Sequence, residues 1–314
     1  MEPWLSVVMP ARNGARWIAE ALGSLAAEPE AAGVECIVVD GSDGPETREI
    51  AAGFADRLAL RVLHRPDLGS WQEKTNHGFA LARAPHLCTL HVDDAWLPGR
   101  AAALRAAIAA APAAALHLNA SVIIGADGRR LGPWRCPLPA GEVPRETVLA
   151  RLLVQNFIAV PAPVFRRDAA LALGGFDPAL WYTADWDFWL RLGAVGGVRY
   201  DPAPRTAFRI HGTSLTVTGS RSLDDFAAQQ RIVLDRHLGL VAEHERAALR
   251  RRAEASIAVN AALAGALNGG LSAVPRAAWQ VARLGPRGAA AWLRDSRIVE
   301  RLLPRLRARF TGGL

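Results

Sequence analysis

The feature that most constrains the fold is an alternation of short apolar runs with longer amphipathic segments in the first third of the chain. The apolar runs lie at residues 5–9, 35–39, 60–63 and 87–91. Helix-like patterns lie between and after them at residues 15–26, 45–56, 71–83 and 98–110. A strand–helix series of this kind predicts a mainly parallel, Rossmann-like sheet covered by helices. Ligands in such α/β sheets bind where the strands end.

The alternation fades after residue 113. Residues 116–124 with the turn at 125–128 predict a β-hairpin, and a proline-rich stretch covers 133–144. The remaining predicted elements are strands at 163–167, 199–200 and 208–210, a helix at 185–192, and helices from residue 222 onward. We therefore expect an α/β domain over 1–220, divided into 1–112 and 113–220, and a helical C-terminal region over 221–314.

Composition favours a folded protein of a reducing compartment. With 314 residues and 51% hydrophobic content, the chain can bury a full core. Its three cysteines lack the spacing of a zinc site or a disulfide framework. The first residues lack the basic start of an export signal, and Arg105 and Pro112 interrupt the alanine-rich stretch before it reaches bilayer-spanning length. We expect a cytoplasmic protein without a transmembrane helix.

The positive charge is concentrated in the C-terminal region. Of 37 Lys and Arg, 16 fall in 221–314, whereas only 8 of the 30 Asp and Glu fall there. A basic helical tail on a neutral body favours contact with an anionic lipid surface over nucleic-acid binding. In the last segment one helical stripe is apolar, although Pro304 is expected to kink or divide the helix. The stripe consists of Ile298, Leu302, Leu306 and Phe310. It either docks on the body or lies on the inner face of the membrane.

Polar clusters follow three of the predicted strands, at residues 10–13, 40–43 and 91–94. In the last cluster, Asp93 and Asp94 are adjacent, so their charges repel unless a cation or solvent lies beside them. Mg²⁺ or Mn²⁺ would compensate the pair, because hard cations prefer carboxylate oxygens. Alternatively, Asp94 only caps the following helix. His91 is interpreted as an ordinary histidine at a strand end.

With these clusters in order, the chain resembles family 2 glycosyltransferases of bacterial polysaccharide and O-antigen synthesis over roughly residues 4–216. The similarity is carried by six stretches: SVVMPARNG, IVVDGSD, HVDD, RPDLGSWQEKTNHGFALARAP, GGFDPALWYTADWDFWLRLG and FRIHGTSLT. The resemblance implies a GT-A fold with a sugar-nucleotide half at 1–112 and an acceptor half at 113–220. It further implies an inverting transfer from a nucleoside diphosphate sugar, of the UDP type, to a hydroxyl of a saccharide or lipid-linked acceptor.

The resemblance also assigns roles to particular residues. The donor-binding residues would be Pro10, Arg12, Asn13, Asp40, Asp67, Lys74 and Asp93. The Mn²⁺ or Mg²⁺ ligands would be Asp93, Asp94 and His211. Asp185 would be the general base, and Asp187 structural or acceptor-orienting. Two departures from the family pattern stand out: His91 replaces the first acid of the metal triplet, and Ala184 replaces a glutamate before the base.

Each assignment has a simpler alternative. Asp185 could be a helix N-cap, His211 a structural histidine, and Asp40, Asp67 and Lys74 solvated loop or surface residues. Aromatic side chains on the acceptor side could stack on sugar faces, namely Trp181, Tyr182, Trp186 and Trp189, although Trp189 is expected in the core.

Three other functions compete with sugar transfer. A nicotinamide oxidoreductase would need a G-x-G-x-x-G fingerprint, which residues 10–14 lack. A nucleotidyltransferase would need a basic glycine-rich loop at the first strand end. A non-catalytic sugar-nucleotide-binding protein of the same fold is favoured by the two departures at His91 and Ala184. The oligomeric state is left open.

Overall fold

One mixed sheet forms the centre of the molecule in the computed structural model, which describes residues 2–212, 222–267 and 270–310. The strands are β1 (Leu5–Ala11), β2 (Val34–Asp40), β3 (Ala59–His64), β4 (His86–Thr89), β5 (Ala95–Trp96), β6 (Ala114–Ile124), β7 (Arg130–Trp134), β8 (Gly141–Val143), β9 (Val164–Arg166) and β10 (Gly197–Arg209). Their order in the sheet is β3-β2-β1-β4-β9-β6-β10-β5, with β7 paired to β6 and β8 paired to β10.

Helices cover this sheet and continue beyond it toward the C-terminus. They are α1 (Ile18–Ala26), α2 (Glu46–Ala52), α3 (Trp71–Leu81), α4 (Arg100–Ala110), α5 (Arg145–Val154), α6 (Arg167–Ala172), α7 (Ala184–Val195), α8 (Leu223–His237), α9 (Glu243–Leu267), α10 (Val274–Ala282), α11 (Gly285–Ser296) and α12 (Ile298–Phe310).

The first half of the sheet is parallel, which confirms the predicted α/β architecture. β1 pairs in parallel with β2 and β4, and β2 pairs in parallel with β3. Every residue of β1 and β2 is buried, which explains why these strands are continuous apolar runs rather than alternating ones. The four predicted strands of this half and their four helices are all present.

The second half of the sheet mixes directions. β9 runs antiparallel to both β4 and β6, whereas β10 runs parallel to β6 and antiparallel to β5 and β8. The predicted hairpin is confirmed as β6 and β7, joined by a turn in which Gly128 has a φ of +80°. The predicted helix at 185–192 is α7. Since β5 follows β4 and pairs with β10, the end of the parallel half lies against the second half.

Three predicted boundaries are wrong for identifiable reasons. The expected strands at 199–200 and 208–210 are one strand, β10, because register shifts near Pro204 absorb the prolines without ending the pairing. β4 ends at Thr89, so His91 lies in the loop after the strand. The first helix begins at Ile18, because residues 15–17 form a turn.

Helix α9 packs on the body, and α11 packs on α9, through buried polar contacts. Asn260 of α9 donates a hydrogen bond to Gln155 Oε1 at 3.0 Å. Trp292 of α11 donates to Ser256 Oγ of α9 at 2.9 Å. Asp295 is buried and accepts from Arg252 Nη1 at 2.8 Å. Buried polar groups that satisfy one another hold helices in one arrangement.

The last helix, α12, lies on β7. Pro304 packs so closely on Gly132 that a Cβ at Gly132 would lie 2.8 Å from Pro304 Cγ. Glu300 forms an ion pair with Arg135 at 2.7 Å, and Ala308 is buried. Pro304 does not divide the helix, contrary to one expectation, because α12 continues on both sides of it.

The predicted apolar stripe of this helix is only partly covered. Ile298 is buried, Leu306 is exposed, and the side chain of Phe310 lies outside the described part of the structure. Docking on the body therefore accounts for one end of the stripe. Among the described helices, none combines the length and the apolar character needed to cross a bilayer.

We predict that Gly78→Ala destabilises the protein although it lies inside a helix. Replacing glycine by alanine within a helix ordinarily raises the free energy of unfolding by as much as about 1 kcal/mol. Here the added Cβ would overlap Val8 Cγ1 of β1, so the free energy of unfolding should fall by about 1–3 kcal/mol. Denaturant titration measures the change. Gly23→Ala in α1 is the matched control, because its Cβ would meet only Phe54 Cε1 at 4.0 Å and should raise stability. Equal effects of the two substitutions would contradict this account of the α3–β1 contact.

Candidate active site

A cleft of about 740 Å³ opens at the edge where β1 and β4 end. The predicted site residues that line it are Pro10, Arg12, Asn13, Lys74, Asp93, Asp94, Asp185 and His211. Asp40 and Asp67 are not among the lining residues. Eight of the ten predicted site residues therefore meet in one cavity, as expected for polar residues that follow parallel strands.

The Asp93–Asp94 turn is held in place from the second half of the sheet. The Arg209 backbone N–H of β10 donates to Asp94 Oδ1 at 2.9 Å, and Arg209 Nε donates to the Asp93 carbonyl at 2.7 Å. Arg209 is itself buried, and its Nη1 donates to the Gly125 carbonyl at 3.0 Å. Asp94 is thus held by β10 and does not cap a helix; the N-cap of α4 is Gly99.

The two carboxyl groups of this turn have opposite electrostatic environments. Burial and the neighbouring Asp93 raise the pKa of Asp94 well above its usual value. Burial also acts to raise the pKa of Asp93, but the hydrogen bond from His211 and the charge of His91 outweigh it and hold that pKa low. His211 Nε2 lies 2.9 Å from Asp93 Oδ2. The pair lacks enough positive charge to stabilise two carboxylates.

His91, Asp93 and Asp94 can together hold a metal ion. One potential ligand atom from each lies within 4.8 Å of the others. His91 Nε2 and Asp94 Oδ2 are buried and form no hydrogen bond in the described structure. Buried polar atoms of this kind need a partner, and a nitrogen and carboxylate oxygens suit Mn²⁺. The first position of the triplet, interpreted above as an ordinary histidine, thus supplies a further potential ligand.

His211 lies beside this group. Its ring is 4.2 Å from the ring of Trp17, measured between centroids, and it contacts Asp93. The neighbouring residues 213–221, which include the end of the FRIHGTSLT motif, lie outside the described residues. His211 therefore lies next to a potential ligand and contacts its carboxylate, and direct binding of a metal ion by His211 stays a prediction.

The loop after β1 packs closely against the loop after β2 and the turn after β4. Asn13 has a φ of 51°, and its backbone N–H donates to Ser42 Oγ at 2.7 Å. A Cβ on Gly14 would lie 2.9 Å from Val92 Cγ2, so the loop packs on the turn that carries Asp93. The pKa of Lys74 is lowered by burial and by the charge of Arg12. Two cations therefore face the same end of the cleft.

Two predicted donor contacts lie outside the cleft. Asp40 is completely buried and accepts hydrogen bonds from Ser42 and from Arg48 Nη1, the latter at 2.8 Å. It holds the loop that in turn contacts Asn13. Asp67 is exposed and pairs with Arg65 at 2.6 Å, which lowers the pKa of Asp67 to about 2. Direct contact of either residue with a ligand stays a prediction.

Asp185 lies in the first turn of α7 and faces the cleft. Its Oδ2 accepts from Asn156 Nδ2 at 2.8 Å, and its Oδ1 accepts from the Trp186 backbone N–H at 2.8 Å. Burial raises its pKa to about 6 in spite of these two bonds. The N-cap alternative is wrong, because Thr183 occupies that position. A carboxyl group that titrates near neutrality is suited to proton transfer.

Asp187, two residues further on, has a different environment. It is completely buried and bonds to Arg191 at 2.8 Å, Arg236 at 2.9 Å and His237 at 2.8 Å. Burial would raise its pKa, but these partners lower it to about 2. Asp187 therefore stays ionised and joins α7 to α8, which supports the structural role considered for it.

Aromatic side chains form much of the remaining wall. Trp181, Tyr182 and Trp186 line the cleft, whereas Trp189 is completely buried in the core, as expected. Sequence reasoning missed several other lining residues: Trp17, Trp71, Trp134, Asn156, Arg301 and Arg305. Trp17 lies just after a recognised motif and Trp71 lies within one, but nothing in the sequence pattern connects Arg301 or Arg305 with residues near β1.

Comparison with known sequences identifies relatives over most of the chain. The family model described as Glycosyl transferase family 2 matches residues 6–167, more than half of the chain. An uncharacterized glycosyltransferase of Rickettsia prowazekii is 24% identical over 236 residues, covering 71% of this chain and 69% of the relative. A PGL/p-HBAD biosynthesis glycosyltransferase of Mycobacterium bovis is 28% identical over 190 residues, covering 60% and 69%. The succinoglycan biosynthesis protein ExoU of Rhizobium meliloti is 32% identical over 95 residues, covering 30% and 27%.

Solved structures share the fold. S. aureus TarS 1-349 in complex with UDP-GlcNAc superposes with a TM-score of 0.64 at 19% identity, covering 81% of this chain and 70% of that chain. The longer TarS chain gives a TM-score of 0.63 at 18% identity, but there this chain covers only 43% of its length. At this level of identity the likeness concerns the fold alone.

The mixed sheet with flanking helices shares its fold with TarS and belongs to the GT-A class of glycosyltransferase folds. Within that class, the chain belongs to glycosyl transferase family 2.

Proposed function

We propose that this protein is a metal-dependent, inverting glycosyltransferase that moves a sugar from a UDP-type donor to a hydroxyl group of a glycan or lipid-linked acceptor. The observation that carries the proposal is the presence of a potential metal site and a carboxyl group of raised pKa in one cleft. TarS structures with bound UDP-GlcNAc and with bound UDP support a donor of this type.

The donor would lie at the end of the cleft next to β1 and β4. His91, Asp93 and Asp94 would hold Mn²⁺ or Mg²⁺, and His211 would orient Asp93. When bound there, such an ion would supply Lewis-acid stabilisation of the negative charge on the leaving diphosphate. Arg12 and Lys74 add positive charge at the same end, and the loop at Asn13 provides a surface for the nucleoside.

Asp185 would accept the proton of the acceptor hydroxyl as that oxygen attacks the sugar. Asn156 fixes the orientation of the carboxylate through its bond to Oδ2. Attack from the side opposite the leaving diphosphate inverts the anomeric carbon. Trp181 and Tyr182 are placed to stack on sugar rings of the acceptor.

Two further observations bear on the acceptor and on where in the cell the protein acts. The names of ExoU and of the PGL/p-HBAD enzyme support a role in bacterial polysaccharide or glycolipid synthesis. Helix α10 exposes Trp279 beside the arginines of the C-terminal region, and Leu271 before it is also exposed. Apolar and basic side chains together suit the surface of an anionic membrane, so we propose peripheral binding on its cytoplasmic face.

Metal-dependent donor binding is tested by Asp93→Ala and Asp94→Ala. Each removes a carboxylate ligand, so affinity for UDP in the presence of Mn²⁺ should fall at least about tenfold in calorimetry. Asp168→Ala is the matched control, because Asp168 is an exposed, ion-paired aspartate on α6. If both cleft variants bind UDP as tightly as the wild type, the metal site is refuted.

The role of Asp185 is tested by the pH dependence of transfer. The carboxyl group must be ionised to accept a proton, so the rate should rise with pH through about 6 and level off above pH 7. Asp185→Asn should lower kcat by about 10² or more and abolish this rise, with donor affinity unchanged. A non-catalytic sugar-nucleotide-binding protein would instead bind the donor with Mn²⁺ and neither transfer nor hydrolyse it.

A thermal measurement shows whether the Asp185→Asn variant is intact. The pKa of Asp185 is raised to about 6 in the folded protein. The free energy of unfolding of the wild type therefore falls as pH rises from about 4 to 6, and this loss persists above that range. The neutral amide avoids this cost, so Asp185→Asn should melt higher than wild type at pH 8 and equally at pH 4. Near wild-type turnover in this folded variant would pass the base role to another group.

Membrane binding is tested with vesicles that contain anionic lipid. The double variant Leu271→Ser/Trp279→Ser should sediment less with such vesicles at low salt, and high salt should reduce sedimentation of the wild type. Leu171→Ser is the matched control, because Leu171 is an exposed leucine on α6. Equal sedimentation of all three proteins would reject the surface formed by α10 as a membrane contact.

A further inference from the structure

Two arginines from the last helix line the cleft. Arg301 and Arg305 are four residues apart on α12 and therefore lie on one face of it. Arg301 Nη1 donates to Asn260 Oδ1 at 3.3 Å, and Arg305 Nη1 donates to the Arg301 carbonyl at 2.7 Å. The Arg305 guanidinium carbon lies 5.9 Å from the ring centroid of Trp134.

Within the described part of the chain, neither guanidinium is neutralised. Among the described residues, no carboxylate forms an ion pair with Arg301 or Arg305, whereas Glu300 on the same helix pairs with both Arg135 and Arg297. Arg301 Nε is buried without a hydrogen bond. A half-buried guanidinium without an anion is costly, and two on one helix face repel each other.

The acid–base behaviour reflects the same cost. Burial and the charge of Arg305 lower the pKa of Arg301 to about 10, and burial also lowers the pKa of Arg305. Both groups stay cationic at neutral pH. Such a pair is stable only if surrounding contacts hold it, and a bound anion would remove the penalty.

The pair belongs to the acceptor end of the cleft. Tyr182 lies within electrostatic reach of Arg301, Arg305 and Asp185, since all three act on its pKa. The pKa of Asp185, in contrast, is set by burial and by its bonds to Asn156 and Trp186. The carboxyl group of Asp185 therefore does not neutralise Arg301 or Arg305.

We propose that Arg301 and Arg305 form an anion-binding subsite for the acceptor, which takes a phosphate or carboxylate group carried by the acceptor saccharide. This inference rests on the proposed transfer function, whose acceptor it specifies as anionic. Paired guanidiniums suit both groups, because each presents a planar fork of N–H donors to two oxygens. Trp134, whose ring centroid lies 5.9 Å from the Arg305 guanidinium carbon, and Tyr182 also line the cleft and would contact the sugar that carries the anion.

Neighbouring amides position one member of the pair. Asn260 Nδ2 donates to Gln155 Oε1 at 3.0 Å and to Gln230 Oε1 at 2.7 Å, so its own Oδ1 is directed to Arg301. All three amides also line the cleft. The subsite is thus assembled from α8, α9, α12 and the residue that follows α5.

Calorimetry on the full-length protein in EDTA, without donor, tests the proposal. The probes are glucose 1-phosphate, methyl β-D-glucuronide and neutral methyl β-D-glucoside. The wild type should bind at least one anionic probe at least about tenfold more tightly than the neutral one. Arg301→Gln/Arg305→Gln should remove that preference. Arg307→Gln, on the same helix but exposed and outside the cleft, should keep it.

The three probes distinguish the possible results. Preference for glucose 1-phosphate identifies a phosphorylated acceptor, and preference for the glucuronide identifies a uronic acid; either supports the proposal. Equal binding of all three probes by the wild type overturns it and needs no variant. So does an unchanged preference in the double glutamine variant.

Donor binding distinguishes this proposal from the function on which it rests. Affinity for UDP with Mn²⁺ should be the same in Arg301→Gln/Arg305→Gln as in the wild type, which also shows that the variant is folded. A tenfold loss of UDP affinity would assign the two arginines to the donor diphosphate and overturn the acceptor subsite. Absence of UDP binding in the wild type would refute the proposed function alone, because the anion measurements use neither metal nor donor.

Discussion

The structure depends on the way one buried pair of carboxyl groups is held at the end of a strand. Asp93 and Asp94 follow β4 at the edge of the parallel sheet, where their mutual repulsion and burial oppose ionisation of both. Arg209 counters this by donating its backbone N–H to Asp94 and its Nε to the Asp93 carbonyl. Because Arg209 ends β10, the same contacts fix the second half of the sheet against the first. The place where a cation is most needed is therefore also the junction of the two halves.

Three aspartates of this protein show how neighbours decide what a buried acid can do. Asp187 has two arginines and a histidine around it, stays ionised and joins two helices. Asp185 has one amide side chain and one backbone N–H, and its pKa rises to about 6. Asp94 has the charge of Asp93 beside it, and its Oδ2 forms no hydrogen bond to the described residues. These differences separate a structural acid, a group suited to proton transfer and a potential metal ligand, although all three are aspartates near strand or helix ends.

The sequence predicts the parts that depend on local pattern. The four parallel strands and the hairpin follow from apolar periodicity and turn residues, and the polar clusters after β1 and β4 follow from the rule that ligands bind at strand ends. The family resemblance, rather than any local pattern, assigns Lys74, Asp185 and His211 to the site. It fails where distant contacts outweigh local preference. Pairing with β6 keeps β10 continuous past Pro204, and Arg48 neutralises Asp40 away from the cleft. His91 was interpreted as a plain strand-end histidine because its proximity to both carboxylates depends on the turn after β4. No periodicity could place Arg301 beside Tyr182, because that contact depends on how the C-terminal helices fold back.

The two ends of the cleft are supported in physically different ways. The end at β1, where we propose that the donor binds, is built on strands that are buried over their whole length and linked by backbone hydrogen bonds. The opposite wall is completed by α12, which rests on β7 through Pro304 and through an ion pair of Glu300 with the half-exposed Arg135. Partly exposed ion pairs contribute little, so this wall is held less firmly than the sheet. Side chains on α12 can therefore change without disturbing the core, whereas changes in the Asp93–Asp94 turn affect both halves of the fold.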